Sequence, residues 1–141
     1  TLHGANTIQA LERILSFFHD SVHKLVQASL AQNLKAILSQ RLIPNLRGGR
    51  SLAVEILLNH GLSRRIIEEG RIKEIREFIE RMRDEGMQSF DQHLLELVVK
   101  NEVSEEIGQR EADNPGNFRL RLTQAKASQA GLGQVQASSS V

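Results

Sequence analysis

Residues 42–58 read LIPNLRGGRSLAVEILL. Leu42, Ile43 and Leu46 lie on one side of Gly48-Gly49, and Leu52, Val54, Ile56 and Leu57 lie on the other. Two glycines between short apolar runs predict a β-hairpin, because glycine reaches the backbone conformations a tight turn needs. No other stretch offers a convincing strand pair. On both sides of the hairpin, apolar residues recur at helical spacing, so the fold class is mostly α with a short β-hairpin.

Upstream, Asn6 followed by Gln9 predicts a capping box ahead of the stripe Ile8, Leu11, Ile14, Leu15 and Phe18. Thr1 to His3, before it, read as the end of a strand. Asp20 or Ser21 caps a second, longer helix whose stripe is Val22, Leu25, Val26, Leu30, Leu34, Ile37, Leu38 and Leu42. It ends ahead of Pro44, since the residue before a proline is pushed out of the helical region.

Downstream, GLSRRIIEEG (residues 61–70) gives a short helix ending near Gly70. RIKEIREFIERMRDEG (71–86) gives the next, with Ile72, Ile75, Phe78, Ile79 and Met82 inward and Gly86 as a left-handed cap. Its charges at four-residue spacing, such as Lys73 with Glu77 and Arg76 with Glu80, form a solvated face. MQSFDQHLLELVVKN (87–101) places Phe90, Leu94, Leu97 and Val98 inward. Ser104 caps a last helix to about Ala112, ahead of the Asn114-Pro115-Gly116 break. After Leu122 the sequence turns to Gln, Ala, Ser and Gly, with little to bury. Residues 123–141 therefore read as a disordered tail, and 1–122 as the folded portion.

Composition narrows the function classes. The chain has 141 residues with 18 basic and 17 acidic side chains, a net charge of +1. That balance gives no whole-chain drive toward nucleic acid or an anionic membrane. Aromatics are 4%, with no Trp or Tyr, which argues against a base-stacking platform. The absence of cysteine excludes disulfides, thiolate zinc sites and a Cys nucleophile. No apolar run approaches the roughly 18 residues of a membrane helix.

Few residues point to chemistry. His3 sits where a strand ends and a helix begins, the place where ligands collect in open α/β sheets. On position alone it reads as a surface histidine at a turn. His19 and His23 have metal-ligand spacing, but no third ligand is near, so no metal site is expected. His60 and His93 are isolated. Arg64 and Arg65 beside Ile66 and Ile67 make a short cationic-apolar helix able to dock a partner or a neighbouring subunit, or simply an ordinary amphipathic helix. Arg47 and Arg50 flank the glycine turn, where they could touch a phosphate or serve simply as solubilising charges. The G-x-x-x-x-G-K-[ST] phosphate loop and the G-x-S-x-G elbow are both absent.

Five segments in order carry a resemblance: TLHGANTIQALERILSFF, LAQNLKAILSQRLIP, GRSLAVEILL, IIEEGRIKEI and EGMQSFDQHLLELV. Together they resemble the C-terminal portion of the type IV pilus retraction ATPases, the PilT/PilU type of the secretion ATPase superfamily. QALERI, SQRLIP and EILLN are nearer the PilU-like branch. The resemblance spans residues 1–122. It implies the rear of a RecA-like α/β P-loop ATPase domain with its helical C-terminal layer.

The resemblance makes TLH the family's His box, with His3 as the catalytic and nucleotide-binding residue that senses the γ-phosphate. Arg13 matches an arginine of the helix after the box. Leu62–Ile67 takes the place of a helix linked to retraction, with Arg64, Arg65 and Ile66 as interface residues; either Arg64 or Arg65 stands for its arginine. Gly86, Met87 and Gln88 match a structural turn between two helices. The family's hairpin turn is slightly longer and carries an acid that NLRGGR lacks.

For the intact parent the resemblance implies ATP and Mg²⁺ as cofactors, a homo-hexamer, pilus-base partners, and a cytoplasmic location peripheral to the inner membrane. The family's Walker A, Asp box and Walker B residues lie upstream of its His box. No cofactor is therefore expected for this chain alone, and no ATP hydrolysis. The alternative is a stand-alone, non-catalytic helical module that docks on an intact ATPase ring; nucleic-acid binding through the arginines is the weakest reading.

Overall fold

The computed structural model describes residues 5–137, with side chains as far as Ser128. It is about 60% helical with one two-stranded antiparallel hairpin. The helices are α1 (Thr7–Ser16), α2 (His23–Asn33), α3 (Leu62–Glu68), α4 (Ile75–Arg81), α5 (Phe90–Val99), α6 (Glu105–Glu111) and α7 (Pro115–Ala137). The strands are β1 (Ala36–Pro44) and β2 (Arg50–Leu58). Short 3-10 turns at Asp20–Val22, Ile72–Glu74 and Arg83–Glu85 precede α2, precede α4 and follow α4. Two compact units result: residues up to Arg41 with Leu52–His93, and Leu42–Ser51 with the residues from Leu94 onward.

The second helix is shorter than its stripe predicts. It ends at Asn33, and Leu34 turns extended at φ −62°, ψ 135°. Residues 36–42, expected to continue the helix, are strand. Leu34, Ile37 and Leu38 fit a helical period, but β2 is nine residues long and needs a partner of equal length. Pairing overrides local preference here, as strand propensity depends on cross-strand context. The Asn45 N–H donates to Gly49 O at the tip (2.9 Å), and the Asn59 N–H donates to Lys35 O at the open end (2.8 Å). These two bonds fix a regular register that sets Ser39 against Glu55 and Leu38 against Ile56.

In the first unit, Leu11 and Leu15 of α1, Leu57 of β2, Ile66 and Ile67 of α3, and Ile75, Phe78 and Ile79 of α4 form one core with Met87. Asn59 holds the end of α2 by donating from Nδ2 to Ala31 O (3.0 Å) and Leu34 O (2.9 Å). Those are carbonyls that a helix C-terminus otherwise leaves unpaired.

The far edge of β2 is covered in detail. Ile56 and Gln88 exchange both backbone bonds (2.9 and 3.2 Å). The Gln88 side chain donates to Val54 O, and the Val54 N–H donates to His93 Nδ1, each at 2.9 Å. An open edge row of N–H and C=O groups is thereby closed.

In the second unit, Ile43, Leu94, Leu97, Val98, Val103, Phe118 and Leu122 are buried. Ser104 caps α6, accepting from the Ile107 N–H (3.2 Å). The Asn-Pro-Gly break does more than end a helix. Asn114 Oδ1 accepts from the Asn117 N–H (3.1 Å), and Pro115 takes the first position of α7, where its missing N–H costs nothing. The helix α7 then runs past Leu122 to Ala137, into the stretch whose composition suggests a disordered tail. Ala, Gln and Lys in that stretch are good helix formers. Residues 138–141 of that stretch lie outside the described residues. Among the described residues no helix is long and apolar enough to cross a membrane.

Candidate functional site

His3 itself lies outside the described residues. What the structure describes is the turn that follows it. Asn6 caps α1, its Oδ1 accepting from the Gln9 N–H (2.9 Å), while Gln9 Oε1 accepts from the Ala5 N–H (3.0 Å). The Thr7 N–H donates to Glu55 Oε1 at 2.7 Å.

Glu55 is only 4% exposed, in the middle of β2. Its other oxygen, Oε2, accepts from the Phe90 N–H at the start of α5 (3.4 Å). A carboxylate between two helix N-termini meets the positive end of each helix dipole. Arg41, on the same hairpin face, donates from Nε to Ala5 O (2.9 Å) and lies over the Phe90 ring, 3.6 Å from its centroid. That is close enough for a cation–π contact. The Thr7 hydroxyl is buried and has no hydrogen-bond partner.

The short helix α3 is elsewhere in the same unit. Arg64 and Arg65 are exposed on α3, and Ile66 is 2% exposed and part of the core. The two arginines differ. Arg65 Nε donates to Glu69 Oε1, and Arg71 Nε donates to Glu69 Oε2, each at 2.7 Å; Arg71 also reaches Glu74 at 2.6 Å. The bond from Arg65, and then that from Arg71, hold the Glu69 carboxyl below its ordinary range, while Glu69 raises Arg65. A depressed carboxyl contributes its stability above the ordinary carboxylate range and loses it as pH falls, so this clasp loosens in acid. Arg64 forms no hydrogen bond or ion pair among the described residues. Neither arginine bonds to the Ala5–Thr7 turn.

Gly86 has φ +88°, which a residue with a Cβ adopts only under strain, and Met87 is 1% exposed. Gln88 covers the β2 edge as described. Arg13 is exposed on α1. His23 Nε2 lies 3.1 Å from Phe18 O, and among the described residues there is no group of three or more His, Cys, Asp or Glu placed to hold an ion.

At the start of α1 the Thr7 N–H is taken by Glu55 and the Gln9 N–H by Asn6. Glu55 and Arg41 are the site residues that sequence reasoning passed over. The signal was present: Ala53, Glu55 and Leu57 alternate toward the core, and Glu55 is the one charge on that face of β2.

No protein-family model matches the chain. It is 39% identical over 131 residues to the type IV pilus ATPase PilU of Pseudomonas aeruginosa, covering 92% of this chain and 34% of that protein. It is 30% identical over 118 residues to the retraction ATPase PilT of the same organism, covering 84% and 34%. In fold it matches a crystal structure of the pilus retraction motor PilT with bound ADP. The TM-score is 0.73 at 27% identity, over 83% of this chain and 32% of that one. The chain thus spans about a third of the length of the curated relatives it matches. Over that third, the chain belongs to the PilT/PilU-type family of type IV pilus ATPases.

Proposed function

We propose that this chain is part of a hexameric motor ATPase that powers type IV pilus retraction, and hence twitching motility. The observation that carries this reading is the similarity to PilU along nearly the whole chain. The likeness to a retraction motor holding ADP supports nucleotide binding by the whole protein. In that whole protein, ATP and Mg²⁺ sit against residues outside this third, and His3 faces the γ-phosphate. The ring works on the cytoplasmic side of the inner membrane with pilus-base proteins. This chain supplies the His3 turn, the helical layer, and a subunit contact that includes α3. Of its two arginines, Arg64 is the one with no ion pair among the described residues, and its charge is the one offered to a neighbour.

Phosphate transfer needs a loop of backbone N–H groups with a Lys, and a carboxylate and hydroxyl on Mg²⁺. The 141 residues carry no phosphate-loop sequence. The purified chain is accordingly expected to show no ATP turnover above buffer in a coupled phosphate-release assay. Turnover that His3→Ala abolishes would overturn this.

One observation favours a second reading, in which the chain is a non-catalytic module that docks on an intact ring. Phe17, Phe18, Val22 and Leu25 are all more than a third exposed within nine residues at the end of α1 and the start of α2. Apolar patches of that kind mark interaction sites.

A further inference from the structure

We propose that Glu55 is a positioning residue that couples the turn after His3 to the start of α5. The inference rests on the reading of His3 as the phosphate-facing residue, but its physical basis is independent of that reading. Each Glu55 oxygen serves a different helix: Oε1 takes the Thr7 N–H and Oε2 takes the Phe90 N–H. Arg41 makes a second bridge between the same two places, from Ala5 O to the face of the Phe90 ring. Both side chains come from one face of the paired hairpin, a base stiffer than a loop. Residues 5–7 and Phe90 are thus tied twice, by a carboxylate and by a guanidinium.

The far side of the clasp is also defined. Ser89 and Gln92 form a capping box at the start of α5: the Ser89 N–H donates to Gln92 Oε1 (2.9 Å) and the Gln92 N–H to Ser89 Oγ (3.3 Å). Immediately before it run Gly86, Met87 and Gln88. A displacement of the turn after His3 therefore pulls on the start of α5 and the Gly86–Gln88 turn, and the reverse. A charge buried among well-packed groups transmits such a shift because its partners cannot be exchanged for water. In the motor, the state of the nucleotide at His3 is passed to the helical layer by this route.

The test is a coupling measurement on the 141-residue chain, with no nucleotide present. Amide exchange at Thr7 and the ring resonances of His3 are followed by NMR in four forms: unaltered, Ser89→Ala, Glu55→Gln, and both. Ser89→Ala loosens the α5 cap. Glutamine keeps the shape of Glu55 but presents only one acceptor oxygen, so it cannot serve both helices. With Glu55 in place, Ser89→Ala should speed Thr7 exchange about fivefold to tenfold and shift the His3 resonances, as local opening is communicated. With Gln at 55, the same substitution should leave both unchanged.

A Thr7 and His3 response that is absent in the Glu55 form, or equal in both forms, overturns the proposal. If Glu55→Gln does not fold, Glu55→Asp replaces it, because a side chain one methylene shorter cannot hold both amides at once. Coupling through Glu55 in a protein whose His3 proves irrelevant to ATP turnover would leave the clasp standing and remove the phosphate reading.

Discussion

Glu55→Ala is expected to destabilise the first unit by about 2–4 kcal/mol, read as a fall in the urea midpoint. The expectation follows from two charge-assisted hydrogen bonds, worth roughly 1.5–3 kcal/mol each, of which the one to Phe90 is long. Alanine leaves the Thr7 and Phe90 amides without their acceptor in a place water does not reach. Relief from burying a carboxylate offsets part of the loss, since a buried charge is costly in itself. Glu55→Gln should cost less than half as much, because one oxygen remains. A midpoint for Glu55→Ala within error of the unaltered chain would show that the carboxylate contributes nothing to either helix start.

Phe118→Ala is expected to destabilise the second unit by about 3–5 kcal/mol, the usual cost of emptying a buried aromatic site. Phe118 is buried in α7, and its ring edge closes against α6. The approach is tight. A methyl group placed on Gly108 would fall 2.6 Å from Val98 Cγ2 and 3.0 Å from Phe118 Cζ. Gly108→Ala should therefore cost about 1–3 kcal/mol by overpacking. The two costs should not add, because alanine at 118 removes one of the atoms the new methyl strikes. Thermal unfolding of the two single variants and the double variant checks both the size and the coupling. Strict additivity would contradict the close packing of α6 on α7.

The elements that packing alone dictates were legible in the sequence. Leu11 and Leu15, then Ile75, Phe78 and Ile79, then Leu94, Leu97 and Val98 all face cores as their spacing predicts. Gly86 ends its segment left-handed because Met87 must turn inward directly after it. The main failure was decided at a distance. AILSQRL fits the apolar spacing of a helix and forms a strand, because β2 follows after a short turn and pairs with it. Asn-Pro-Gly reads as a stop and is equally a start, since Asn caps and Pro begins a helix. At the candidate site, Asn6 and Gln9 could be read from local spacing. The roles of Glu55 and Arg41 could not, since their partners Thr7, Ala5 and Phe90 lie more than thirty residues away in sequence.

The central claim is that this chain performs the work of the matching third of a pilus retraction motor. The most direct measurement replaces that third of Pseudomonas aeruginosa PilU with the present sequence and scores twitching in cells lacking their own PilU. The account predicts that the chimera restores twitching and that His3→Ala within it abolishes the effect. A chimera that accumulates and assembles normally but leaves the cells immobile, or one that works equally well with His3→Ala, would contradict it.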